Sequence, residues 1–125
     1  MTEALQEQVE HWFAVYKDRL HLGGWDVDLR CNDDPGWGRF GQCSRDINRE
    51  QARVTISVTM PPNQARKAVI HELLHLSVEP IETVVDQWKD MLDETHQPLF
   101  LKQCEFALET VIYRLERCLA DWEVE

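Results

Sequence analysis

Ala52-Arg53-Val54-Thr55-Ile56-Ser57-Val58-Thr59-Met60-Pro61-Pro62-Asn63-Gln64-Ala65-Arg66-Lys67-Ala68-Val69-Ile70-His71-Glu72-Leu73-Leu74-His75-Leu76 is the stretch that decides the architecture. Its first part, Ala52 to Thr59, places Val54, Ile56 and Val58 on one face of a strand, a period of two. Pro61-Pro62 stops that strand, and Asn63 is a candidate N-cap for the helix that follows. The apolar period then changes to that of a helix. Val69, Leu73 and Leu76 recur on one side, Leu74 extends the surface, and Ala68-Val69-Ile70 make the helix apolar as it passes through a core. It is expected to run to about Glu79, where Pro80 breaks it.

On the N-terminal side, Thr2 to Leu20 reads as a helix with Leu5, Val9, Trp12, Phe13 and Tyr16 along one stripe, ended by Gly23-Gly24. Trp25 to Cys31 alternates apolar and polar residues, as a half-buried strand does. A loop of Asp, Pro and Gly runs from Asn32 to about Gly38. Arg39 to Ser44 is a second strand, and Asp46 to Glu50 is turn material. On the C-terminal side, Ile81 to about Glu94 forms a helix built on Val84, Val85, Trp88, Met91 and Leu92. His96-Gln97-Pro98 separates it from a last helix, Leu99 to Trp122. The expected class is α+β: an N-terminal helix, a three-stranded, mostly antiparallel sheet, the helix bearing His71 and His75, and two C-terminal helices.

The chain has 125 residues and is expected to form one domain over 1–125. With 43% hydrophobic and 29% charged residues it has the composition of an ordinary globular protein. A formal net charge of −10 with no basic stripe weighs against a nucleic-acid partner. The sequence shows neither signal-peptide character at its start nor a run of membrane-spanning length, so no membrane partner is expected and the cytoplasm is the expected location. Cys31, Cys43, Cys104 and Cys118 lack C-x-x-C spacing and read as reduced, partly buried side chains.

Chemistry concentrates in His71-Glu72-Leu73-Leu74-His75. Histidines four apart lie one above the other on a helix face, so both imidazoles reach a single metal ion. The glutamate between them projects beside that ion, where it can serve as general base towards an attacking water. This is the H-E-x-x-H spacing of zinc hydrolases, and Zn²⁺ is the expected cofactor. Catalytic zinc takes three protein ligands, so a third lies elsewhere. His11 and His21 belong to the first helix or its end and His96 to a connector, without neighbours that suggest a site. Glu105 and Glu109 on the last helix are better sources. That helix has an apolar stripe of Leu101, Cys104, Leu108, Val111, Leu115, Cys118, Leu119 and Trp122. Glu105 lies on the edge of the stripe, beside Leu101, Leu108 and Ile112. Glu109 lies further round, one turn along the same flank. A carboxylate edging a buried stripe needs a partner, and a metal is one.

A motif of this kind followed by a glutamate-bearing helix resembles the gluzincin branch of zincin metallopeptidases. More narrowly, the chain resembles the short zincin-like metallopeptidases encoded by phages and prophages. Like them it has a tryptophan-containing first strand, a strand running into Val69-Ile70-His71-Glu72-Leu73-Leu74-His75-Leu76, and a closing helix with Glu109-Thr110-Val111-Ile112. The resemblance covers most of the chain, although only the H-E-x-x-H block is specific. It implies a minimal zincin-like domain that hydrolyses peptide bonds in a protein or peptide substrate. It leaves two assignments for the third ligand. A gluzincin pattern makes Glu105 the ligand and Glu109 an acidic group orienting a histidine. The Glu-x-Val-Ile spacing makes Glu109 the ligand, with Tyr113 one turn on. The helix projection tips the choice towards Glu105. Tyr113 and His96 are candidates to stabilise an oxyanion. The strand Ala52 to Thr59 is expected to flank the cleft and offer its edge to an extended peptide. The competing function is a binding module that keeps the fold without efficient catalysis.

Gly36-Trp37-Gly38-Arg39-Phe40-Gly41 formally matches G-x-G-x-x-G, but a dinucleotide site needs a helix directly after it and a strand is expected here. It reads as a glycine-rich connection. Trp12, Trp25, Trp88 and Trp122 are expected in the core, with Trp37 free to line a surface site.

Overall fold

The computed structural model describes residues 2–121. The elements, in order, are α1 (Thr2–Arg19), β1 (Asp26–Asn32), β2 (Gly41–Asp46), β3 (Gln51–Ser57), α2 (Pro62–Ser77), α3 (Glu79–Lys89) and α4 (Gln97–Asp121). Short 3-10 turns at Pro35–Trp37 and Ile47–Arg49 join the strands. The class is α+β, with four helices and one three-stranded sheet. Among the described residues no helix is long and apolar enough to cross a membrane.

The sheet is mixed, which corrects the expectation of a mostly antiparallel one. Its order is β1-β3-β2: β3 pairs parallel with β1, in register Asp26 with Gln51, and antiparallel with β2, in register Gly41 with Ile56. The reason lies in the two connections. Ile47–Arg49 and Glu50, whose φ is 50°, reverse the chain tightly, so β2 and β3 form a hairpin. Residues 33–40 are longer and carry β2 past the position next to β1, leaving that position for β3. Both edges of β3 are consequently hydrogen-bonded, and the strand edges left open are those of β1 and β2.

The helices pack on one face of the sheet. Alternation in β3 turns Ala52, Val54 and Ile56 into the core, while Asp28, Arg30 and Arg53 hold ion pairs on the solvated face. α2 is the central helix and touches α1, α4, β2 and β3. Ala65, Ala68, Val69, Ile70, Leu73, Leu74 and Leu76 are all buried along it, as the periodicity requires. Each fully buried Val, Leu or Ile contributes about 1.5–3 kcal/mol, so the helix carrying the histidines is held rigidly. Leu5, Val9 and Tyr16 of α1 and Ile112 of α4 complete the same cluster.

Several boundaries move. Pro61 rather than Asn63 occupies the N-cap of α2, without a side-chain cap bond, and Pro62 takes the first turn, where a missing N–H costs nothing. Pro80 does not merely end α2; it lies in the first turn of α3, which follows after Val78 alone. α3 ends at Lys89 rather than about Glu94, and most of its apolar residues do not face a core. Ile81, Val84 and Trp88 are exposed and Val85 is half-buried, while Met91 and Leu92, beyond its end, are exposed too. The inward side of α4 is formed by Leu101, Cys104, Leu108, Ile112 and Leu119, whereas Val111, Leu115 and Cys118 face solvent. At 100° per residue the buried seam is turned by roughly 30° from the expected stripe. Trp122 lies outside the described residues.

Candidate metal centre

His71 and His75 stand one turn apart on α2, their ring centroids 5.1 Å apart. Both are mostly covered, with 15% and 19% of their side chains exposed. α4 crosses α2 and lays Glu109 over the pair. Glu109 Oε1 is 3.1 Å from His75 Nε2, and Oε2 is 3.5 Å from His71 Nε2. One ligand atom from each residue falls within 4.8 Å of the others, the single group of this kind among the described residues. Glu105 is not part of it. That side chain is exposed one turn earlier on α4, in the adjoining hollow with His75, Glu82 and Glu109.

The opposite ring nitrogens have carboxylate partners of their own. His71 Nδ1 is 3.0 Å from Glu116 Oε1, and His75 Nδ1 is 3.3 Å from Glu82 Oε1. An ionised carboxylate only accepts, so each Nδ1 carries the proton and donates it. In the neutral rings Nε2 is then a bare lone pair. Both lone pairs meet the Glu109 oxygens, acceptor against acceptor, an arrangement that needs either a ring proton or a cation between them. Two imidazole nitrogens and a carboxylate, each imidazole backed by a second carboxylate, are a donor set that suits zinc.

The charges around the rings act in the same sense. Burial opposes the charged form of His71, but the Glu116 hydrogen bond and the negative charges of Glu72, Glu109 and Glu116 together raise its pKa above the usual value. Glu72 is itself 8% exposed. Burial pushes its carboxyl above the usual carboxylate range; His71 and His75 oppose this, Glu109 adds to it, and the balance remains upward. The covering comes from β2. A Cβ built at Gly41 would lie 2.9 Å from Glu72 Cγ and 3.1 Å from Oε2, so only glycine lets the strand approach this closely.

A second layer ties α3 to the site. Arg45 of β2 bridges Glu79 and Glu82, and Thr83 Oγ1 donates to Glu79 at 2.8 Å. Glu79 is buried at 4% exposure, so Arg45 holds it while the second arm of the guanidinium fixes the carboxylate that orients His75. Sequence reasoning missed Glu82, Glu116 and Arg45. Glu116 had a signal, because it follows Glu109 by seven residues and shares its side of α4. Glu82 and Arg45 had none, since β2 and α3 meet only in the fold.

A cleft of about 390 Å³ opens beside the rings, walled by Arg39, Phe40 and Gly41 on one side and by Gln64, Lys67, His71 and Glu72 on the other. Tyr113 and Glu116 close it from α4, with the Tyr113 ring 4.9 Å from that of His71. Two expectations are corrected. His96 is exposed, pairs with Asp93 at 2.6 Å and does not line this cleft, because the connector it occupies lies beyond the start of α4. The strand Ala52 to Thr59 offers no free edge, since β3 is central; the open edge beside the cleft belongs to β2. Trp37 is half-buried and is not a cleft residue either. Comparison with known proteins finds no matching family, no matching curated protein and no matching solved structure.

Proposed function

We propose that this chain is a zinc-dependent metallopeptidase, with His71, His75 and Glu109 holding the ion and Glu72 moving the proton. The observation that carries the reading is the meeting of two carboxylate-backed Nε2 lone pairs with the oxygens of Glu109. It favours Glu109 over Glu105 as the third ligand. The H-E-x-x-H spacing and the resemblance to gluzincins support the same activity. When bound, zinc supplies Lewis-acid polarisation of a carbonyl and acidification of water.

The remaining work falls to the chain. Glu116 and Glu82 fix the tautomer and tilt of the two rings. Glu72, a buried carboxyl whose pKa burial raises above the usual carboxylate value, is placed to take a proton from the attacking water and return it to the leaving amine. Tyr113 stands on the cleft wall with a hydroxyl available to a developing oxyanion. The open edge of β2, starting at Gly41, suits an extended peptide, whose backbone groups would pair with it.

Glu72→Gln tests the reading. The variant is expected to keep one zinc per chain and to lose about 10²–10⁴-fold in peptide hydrolysis, the usual contribution of a positioned acid–base group. Full retention of hydrolysis would remove Glu72 from the reaction. A wild type that folds but takes up no zinc would overturn the function.

A further inference from the structure

Lys67 lies four residues before His71 on α2, and Gln64 lies three before Lys67, so the three share one helix face. Arg39, just ahead of β2, lines the same cleft from the opposite wall. Neither cation has a carboxylate partner among the described residues, although the chain has 23 acidic residues against 13 basic ones. Arg30, Arg45, Arg49, Arg53 and Lys89 are paired, whereas Lys17, Arg19, Lys102, Arg114 and Arg117 also lack a carboxylate partner among the described residues. What sets Arg39 and Lys67 apart is that both line this cleft. The two carboxylates in this cleft are committed elsewhere. Glu116 accepts from His71, and Glu72 is pressed under Gly41. Beyond His75 the charge changes sign, because Glu82, Asp86 and Glu105 line the adjoining hollow.

We propose that Arg39 and Lys67 form a subsite for a carboxylate of the substrate, placed one or two residues from the bond that is cut. The proposal rests on the peptidase reading and adds its specificity. Lys67 and His71 are one helical turn apart, about 6 Å along the axis, and an extended peptide advances about 3.3 Å per residue. A carboxylate held between the two cations therefore belongs to the second residue, or the first, beside the scissile carbonyl. It can come from an Asp or Glu side chain or from a free chain terminus. Two opposed cations favour an anion over its neutral isostere, and the acidic stretch beyond His75 repels an anion placed the other way round.

The test uses zinc-loaded and metal-free Glu72→Gln, which binds without cutting. The probes are short Gly/Ala/Leu peptides bearing a neutral fluorophore, with one central Glu, Gln or Lys and an amidated C-terminus. A fourth carries Gln and a free C-terminal carboxylate. Anisotropy is expected to show about ten-fold tighter binding, equivalent to about 1.4 kcal/mol, for a carboxylate-bearing peptide over the amidated Gln peptide. A preference for the Glu peptide assigns the side chain as the source; a preference for the free acid assigns the terminus. Lys67→Gln with Arg39→Gln should abolish the preference, and Lys67→Glu with Arg39→Glu should turn it towards the Lys peptide, with zinc content unchanged in both. Equal affinity for all four peptides, or no binding of any, would overturn the subsite. If the wild type nevertheless binds zinc and cleaves peptides, the peptidase reading survives that result. Failure of zinc uptake and cleavage overturns the peptidase reading instead, and carboxylate selectivity in the metal-free form would still mark the subsite.

Discussion

Replacing Glu109 by Gln should uncouple the fold from zinc, and replacing Glu105 should not. Glu109 places one oxygen 3.1 Å from His75 Nε2 and the other 3.5 Å from His71 Nε2, whereas Glu105 is exposed a turn away. Loss of a group that merely orients a ligand costs roughly 10–100-fold in metal affinity, so loss of a ligand is placed at about 100-fold or more. With free zinc at about 100 times the wild-type Kd, binding stabilises the native state by about 2.7 kcal/mol. For a domain of this size that raises Tm by about 10 °C, taking roughly 4 °C per kcal/mol. In Glu109→Gln the same zinc concentration is no more than equal to Kd, and stabilisation falls to about 0.4 kcal/mol, or 1–2 °C. Glu105→Gln should keep the full rise. Thermal melts with and without zinc, alongside metal content by mass spectrometry, read both variants. Loss of the rise in Glu105→Gln with its retention in Glu109→Gln would refute the assignment of the ligand.

Other expectations follow from the surroundings of the site. Gly41→Ala puts a carbon 2.9 Å from Glu72 Cγ, where carbon contacts need about 3.5–4.0 Å. A displacement of the base by up to about 1 Å should cost on the order of 10²-fold in kcat/KM with zinc content intact, and unchanged turnover would show that Glu72 tolerates the move. Arg45→Ala leaves Glu79 buried and without its cation. It should destabilise by about 3–5 kcal/mol, whereas a loss under 1 kcal/mol in urea unfolding would mean that α3 detaches and solvates Glu79. For the metal-free protein, His71 and Glu72 both hold protons more tightly when folded than when unfolded. The His71 share of stability is complete below about pH 6.5 and is lost as pH rises through its higher folded value. Glu72 likewise costs stability as pH rises through its raised value. Metal-free Tm should therefore fall as pH rises above about 6.5, while the zinc-loaded form strengthens over the same rise because its ligands must be deprotonated. A metal-free Tm that rises across the window would contradict the placement of these two groups.

Periodicity was enough for the local order of this chain. The period of two in residues 52–58 and the helical period in 68–76 each arise from contacts within a few residues, and both elements formed with the buried sides they imply. The H-E-x-x-H histidines were legible for the same reason, because their meeting depends only on the pitch of α2. Strand pairing was not legible: whether β3 takes β1 parallel or β2 antiparallel depends on where the 33–40 connection crosses, and no local pattern encodes that path. The face of α4 was misread because Val111, Leu115 and Phe106 make it apolar on more than one side. Only packing against α2 selects which side turns inward. That rotation brings Glu109 and Glu116 to the histidines, and the crossing of α3 with β2 brings Glu82 and Arg45 behind them. A helix repeat states which residues share a face; contact between faces distant in sequence is decided by the whole core, and here it settles which carboxylates surround the two imidazoles.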